Sequence, residues 1–231
     1  MATSARLSPL FINCCIDCCT NYFTNSLTHD VTDHDMELIL IRHGLPVRQE
    51  LESGRADPPL SATGHRQASL VAQWLVPVNI DAVYSSPMIR ARQTAEPYAQ
   101  LAGQAAVIHD GVEEFDREAS RYIPVEQLKE EDYAAWQALA SDFAGKLDQQ
   151  LKSFGTTVVK AMEEIIESHK SQTAVVFCHG GVINVWASHV LGMPRRMFFE
   201  PVYTSVHRFL CAGTGERNIV SLNETAHLRD F

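Results

Sequence analysis

The chain has 231 residues, 45% apolar and 20% charged, with 28 acidic against 19 basic side chains and a formal net charge of −9. That size and balance fit one substantial globular domain, and they disfavour a general nucleic-acid binder, which carries a basic excess. No apolar run approaches the length of a membrane span and no signal peptide is legible, so no membrane association and a cytoplasmic setting are expected.

In chain order, residues 1–35 show no sustained period of 2 or 3.6 and are rich in Thr, Asn, Ser and Asp, which favour turns over element interiors. They are expected to form a disordered or non-native extension, with the folded domain spanning 36–231. Cys15, Cys18, His29 and His34 approach a zinc-finger spacing. The central spacer is short and the doubled Cys14 and Cys19 blur the register, so no metal is expected there. The six cysteines form no spaced disulfide framework and are expected to be reduced.

Four continuous apolar runs, Leu38–Ile41, Ala82–Tyr84, Ala105–Ile108 and Ala174–Phe177, read as strands covered on both faces. Helix-period segments lie between them. Ala68, Val71, Ala72 and Leu75 share a face after a Ser61 cap, and Met88, Ala91, Ala95 and Tyr98 share another after Ser86 as cap and Pro87 at the first helical position. Val159, Met162 and Ile166, then Val182, Ile183, Trp186 and Val190, mark two more. Residues 112–150 are acidic and aromatic with no strand signal, and read as a helical excursion. Ser205–Leu210 and Asn218–Leu222 form a terminal hairpin around a glycine-bearing turn. Strands alternating with helices predict an α/β fold: a three-layer α/β/α sandwich with a mainly parallel central sheet.

Ligands of open α/β sheets bind beyond the carboxyl ends of the strands. The first strand runs into Arg42-His43-Gly44, the second into Ser85-Ser86-Pro87 with Arg90 a turn later, the third into Glu113 and Glu114, and the fourth into Cys178-His179-Gly180-Gly181. Two histidines, two arginines and a carboxylate at one edge suit a phosphomonoester, nearly a dianion at neutral pH. Arginine binds phosphoryl oxygens bidentately and stays charged, and helix N-termini after Ser86 and Gly180 would add backbone donors. A neutral imidazole can attack phosphorus, and Gly44 beside it would let a phosphate approach the backbone. A metal held by His43, His179 and Glu114 is disfavoured by the two arginines, which would repel a cation.

Arg42-His43-Gly44 at the end of a first strand resembles the signature of the histidine phosphatase superfamily, the phosphoglycerate mutase-like enzymes. The stretches Asp57–Ala68 (DPPLSATGHRQA), Ser85–Ala95 (SSPMIRARQTA) and Val176–Val182 (VFCHGGV) are similar to the segments leading into that family's first helix and bearing its second arginine and second histidine. The resemblance implies His43 as phospho-accepting nucleophile and Arg42, Arg90 and His179 as the rest of the phosphate pocket. It implies Glu114, rather than its neighbour Glu113, as proton donor, and Gln49 where family members often place an asparagine. The implied reaction is hydrolysis of a small anionic phosphorylated substrate through a phosphohistidine, without metal or organic cofactor. The mutases typically read Arg-His-Gly-Glu-Ser, whereas Leu45 and Pro46 follow Gly44 here, and the domain is short for a mutase. The phosphatase branch is therefore expected. Mutase-type phosphotransfer and a catalytically weak phospho-ligand binding protein are the alternatives.

Overall fold

A computed structural model describes residues 35–138, 148–194 and 197–231. The N-terminal extension, including the cysteine–histidine spacing, lies outside the described residues, as do parts of the excursion.

Strand β1 (Met36–Arg42) is the centre of a six-stranded sheet with β3 (Ala82–Ser85), β4 (Val107–Ile108), β6 (Thr173–Cys178), β7 (Val206–Cys211) and β8 (Arg217–Glu224). The order is β4-β3-β6-β1-β7-β8. The first four strands in that order are parallel, whereas β7 is antiparallel to β1 and β8 to β7. The expected sandwich is therefore present, with the terminal hairpin added as an antiparallel flank.

Side chains alternate across a strand, so the continuous apolar run of β1 feeds two cores. Met36, Leu38 and Leu40 join one cluster with α4 (Asp148–Ser168) and α5 (Gly180–Val190), through Val158, Met162, Ile183 and Trp186. Ile39 and Ile41 join the opposite cluster with α1 (Ala62–Leu75) and α2 (Ile89–Ala102), through Val71, Leu75, Ala95 and Tyr98. Burial on both faces is why the strand shows no polar alternation.

Three expectations need correction. The third strand is shorter than its apolar run: only Val107–Ile108 pairs, at the sheet edge, and both side chains are exposed. The excursion is not wholly helical, for Arg121–Tyr122 (β5) pairs antiparallel with Gln49–Glu50 (β2) before α3 (Val125–Glu131) begins. Such two-residue strands are set by their partner and carry no periodicity of their own. The second helix starts at Ile89 with Met88 at the cap position, not at Pro87 after a Ser86 cap. Its first free N–H, on Ile89, is met by the Asp57 carboxylate at 3.1 and 3.2 Å. The Ser61 cap is as read, its hydroxyl accepting from Gly64 N–H at 3.0 Å.

The loop after β1 lies directly on the start of α1. A Cβ on Gly44 would meet the Gly64 carbonyl oxygen at 2.7 Å, and one on Gly64 would meet the Leu45 carbonyl oxygen at 2.2 Å. Gly44 is thus required by backbone-on-backbone packing, whatever approaches from the other side. Gly64→Ala should cost about 1–3 kcal/mol, read as a lowered urea midpoint. Gly213→Ala, where a Cβ meets nothing, should stay within about 0.5 kcal/mol.

Candidate active site

The pairing register brings the candidate residues together. Arg42 is level with Cys178 across β1 and β6, and Ser85 with Phe177 across β3 and β6. The ladder continues past the strand ends: His43 N–H donates to Cys178 C=O (2.9 Å) and Ser86 N–H to Phe177 C=O (3.0 Å). His43 and His179 are therefore neighbours, with ring centroids 5.1 Å apart. Thr204, at φ 60°, fastens the same end, its N–H bonding to the carbonyls of Arg42 (3.1 Å) and His43 (3.3 Å).

His43 is buried, and its Nδ1 lies 2.8 Å from the Gly44 carbonyl. A carbonyl only accepts, so Nδ1 carries the proton and Nε2 keeps its lone pair. Arg90 Nε donates to that Nε2 at 3.3 Å, which agrees with the same tautomer. Burial, then the Arg90 and Arg42 charges, hold the His43 pKa well below the usual imidazole value. The ring is thus neutral with an available lone pair.

Arg42 and Arg90 are both buried. Arg42 lies over the Tyr203 ring, 3.8 Å from its centroid, and Arg90 over Tyr122 at 4.7 Å. Arg42 also donates through NH1 to the Pro201 carbonyl. Its Nε and both terminal nitrogens of Arg90 have no hydrogen-bond partner among the described residues. The nearest carboxylates to Arg90, Asp57 at 3.7 Å and Asp116 at 3.6 Å, lie beyond hydrogen-bond distance. Buried charged donors left unmet are costly, and an oxyanion would satisfy them.

His179 Nε2 lies 2.9 Å from Ser86 Oγ, which already accepts from Met88 N–H at 3.3 Å. With the serine proton directed at Nε2, the N–H is on Nδ1, and Nδ1 has no partner among the described residues. Burial, then Arg90 and His43, hold this imidazole neutral as well. The residue read as a helix cap is thus a partner of the second histidine.

Glu114 follows the 3-10 turn Asp110–Val112 and is buried. Its Oε1 accepts from Phe115 N–H (3.0 Å) and its Oε2 from Gly181 N–H (2.9 Å) at the start of α5. Burial, then neighbouring Asp116, raise its pKa to about 7. Glu113 instead pairs with Arg55 at 2.6 Å. The α5 N-terminal donor on Gly181 therefore serves Glu114, not a ligand as expected from the sequence. A Cβ on Gly181 would sit 2.1 Å from Glu114 Oε1. Gly180 lies beside Arg42, its Cβ position 3.8 Å from Arg42 Nε.

Gln49 pairs with Tyr122, so both side chains share a face, and Gln49 Oε1 is buried without a partner among the described residues. Arg48 and Arg117, which could have met a second anion, are paired with carboxylates. Tyr122, Tyr203, Thr204, Asp57 and Glu126 carry no signal in the sequence that assigns them to the site, whereas Asp116 is the next acid candidate after the two glutamates. Tyr122 and Tyr203 stand in loops and short strands with no period. Asp57 lies within a quoted motif, but that position alone gives it no role. Among the described residues, no cluster of three or more His, Cys, Asp or Glu could hold a metal ion, and no helix is long and apolar enough to cross a membrane.

The arrangement is thus a neutral imidazole near two guanidinium groups with spare donors, beside a second neutral imidazole and a carboxyl able to hold its proton near neutrality. Several known proteins are similar to this chain. Phosphoserine phosphatase 1 of Hydrogenobacter thermophilus is 29% identical over 209 residues, 85% of this chain and 96% of that protein. A probable phosphoglycerate mutase of Yersinia enterocolitica is 27% identical over 164 residues, 69% of this chain and 76% of that one. Among solved structures, a mutant phosphoserine phosphatase of Entamoeba histolytica in complex with phosphoserine superposes with a TM-score of 0.65. It is 25% identical, and the match covers 84% of this chain and 99% of that one. The α-ribazole phosphatase of Shigella flexneri gives a TM-score of 0.63 at 26% identity, over 82% and 96% of the two chains. The family model described as histidine phosphatase superfamily (branch 1) matches residues 38–225. This chain therefore belongs to the histidine phosphatase superfamily, whose phosphatase and phosphotransfer chemistry its fold and its relatives share.

Proposed function

We propose that the protein is a phosphomonoester hydrolase working through a phosphohistidine on His43, with Glu114 as proton donor. The observation that carries this reading is the pairing of a neutral His43, its Nε2 unprotonated, with donors on Arg42 and Arg90 that no described residue meets. The phosphoryl group would lie between the two arginines, with Nδ1–H of His179 and the Gln49 amide as further donors and Gly180 alongside Arg42. His43 Nε2 forms a bond to phosphorus as the ester P–O bond breaks in line, and Glu114 gives its proton to the departing alkoxide. Water, deprotonated by the same carboxylate, then attacks phosphorus, releasing inorganic phosphate and freeing Nε2. Hydrolysis is favoured over mutase transfer because Arg48, Arg55 and Arg117, which could have held a second anionic group, are already ion-paired. We further propose that residues 36–231 form the whole catalytic unit.

A phosphomonoester panel with phosphate release as readout tests the reaction class. With a turned-over substrate carrying labelled phosphate, rapid quench should trap acid-labile, base-stable label on the protein. His43→Ala should abolish both label and turnover, and full activity in that variant would end the covalent reading.

Glu114→Gln keeps size and polarity but has no proton to give. It should slow an alkyl phosphate by about 10²–10⁴-fold and p-nitrophenyl phosphate much less, since that phenolate departs unprotonated. Glu113→Gln should affect both substrates mildly and alike, because its partner is Arg55. Gly181→Ala should reproduce the leaving-group-dependent loss, its Cβ displacing the Glu114 carboxylate. A loss that ignores the leaving group in Glu114→Gln would move the acid elsewhere.

The pH profile has a fixed sign. Glu114 must be protonated to act as acid, so kcat/KM for alkyl phosphates should fall as pH rises through about 7. His43 must be neutral, and its pKa is lowered, so its protonation should not set a limb near pH 6.5. An alkaline limb that survives Glu114→Gln unchanged would belong to another group.

A further inference from the structure

Glu126, in the first turn of α3, stands beside Arg42 and Tyr203. Its Oε2 accepts from Tyr203 O–H at 2.9 Å, and Tyr203 is the ring beneath Arg42. Its Oε1 stands 3.6 Å from Arg42 NH1, outside hydrogen-bond distance, and its side chain is 43% exposed. Tyr203 thus holds this partly exposed carboxylate beside Arg42. A phosphoryl group on Arg42 and His43 would bring the alcohol portion of the ester within its reach. The buried Oε1 of Gln49, on the face shared with Tyr122, is a second acceptor with no partner among the described residues. Arg42 is the cation nearest to Glu126 and would be occupied by the phosphoryl group, and Lys129 of the same helix lies over the Trp136 ring at 4.9 Å. Arg48 and Arg55 are engaged by carboxylates, and Arg121 precedes Tyr122 in β5, so it points to the opposite face. The alcohol portion of a substrate would therefore meet acceptors rather than donors.

We propose that Glu126 determines specificity at this site, selecting phosphomonoesters whose alcohol carries an ammonium group over those whose alcohol carries a second anion. The inference rests on the phosphatase reading and adds the substrate class, phosphorylated amino alcohols. At a half-exposed position, attraction to the ammonium and repulsion of the anion are each worth a factor of about three, so the ratio between the classes should move about tenfold.

The test compares kcat/KM of the full chain and its Glu126→Gln and Glu126→Lys variants on O-phosphoethanolamine, glycerol 2-phosphate and 3-phosphoglycerate. Their alcohol portions are cationic, neutral and anionic. The wild type should prefer O-phosphoethanolamine to 3-phosphoglycerate. Glu126→Gln should lower that ratio about tenfold and Glu126→Lys should reverse it, with both changes shrinking at 1 M salt. An unchanged ratio would overturn the proposal, and so would an equal loss on all three substrates, because Glu126 would then act only through Arg42 and Tyr203. Failure of the phosphatase reading looks different: none of the three esters, nor p-nitrophenyl phosphate, is turned over by the wild type. Calorimetric affinities for O-phosphoethanolamine and 3-phosphoglycerate, wild type against Glu126→Gln, then decide the charge selection alone.

Discussion

The parallel pairing of β1 with β6 is the constraint on which the site depends. Arg42 lies level with Cys178, and the bond from His43 N–H to Cys178 C=O carries the ladder one step beyond the sheet. A slip of one residue would turn every side chain of β1 to the opposite face. It would exchange Leu38 and Leu40 with Ile39 and Ile41 between the two cores and carry His43 away from His179. The two cores therefore hold the register, and the register holds the histidines.

Burial then does opposite things to opposite charges with a single chemical result. Removing water lowers the pKa of His43 and raises that of Glu114, so the neutral form of each is favoured. A neutral imidazole and a protonated carboxyl are the pair that nucleophilic attack with proton donation requires. The arginines stay charged in the same surroundings, their faces covered by Tyr122 and Tyr203 and their donors only partly met. Partial satisfaction leaves charged donors that an oxyanion would meet.

Two glycine contacts make the geometry narrow. Gly44 and Gly64 allow the loop after β1 to rest backbone-on-backbone against α1, and Gly181 leaves the volume that the Glu114 carboxylate fills. Neither requirement comes from left-handed backbone, since the positive-φ glycines lie elsewhere. Close approach is the reason, and it ties α1 and α5 to the two ends of the site.

Much of this was legible in the chain itself. Continuous apolar runs marked strands buried on two faces, their order with the helices implied the sandwich, and Arg42, His43, Arg90, Glu114 and His179 stood out because each follows a strand end. Those signals are local: periodicity, caps and position after an apolar run are written in adjacent residues. The partners of Ser86, the short pairing of Gln49 with Tyr122, and the tyrosines beneath the arginines were decided by tertiary structure alone. They join positions 32 to 161 residues apart (Arg90 to Tyr122, Arg42 to Tyr203), and loop residues carry no period to announce a distant partner. The length of the third strand was misjudged for the same reason, because an apolar run measures hydrophobicity, whereas a strand ends where its neighbour does.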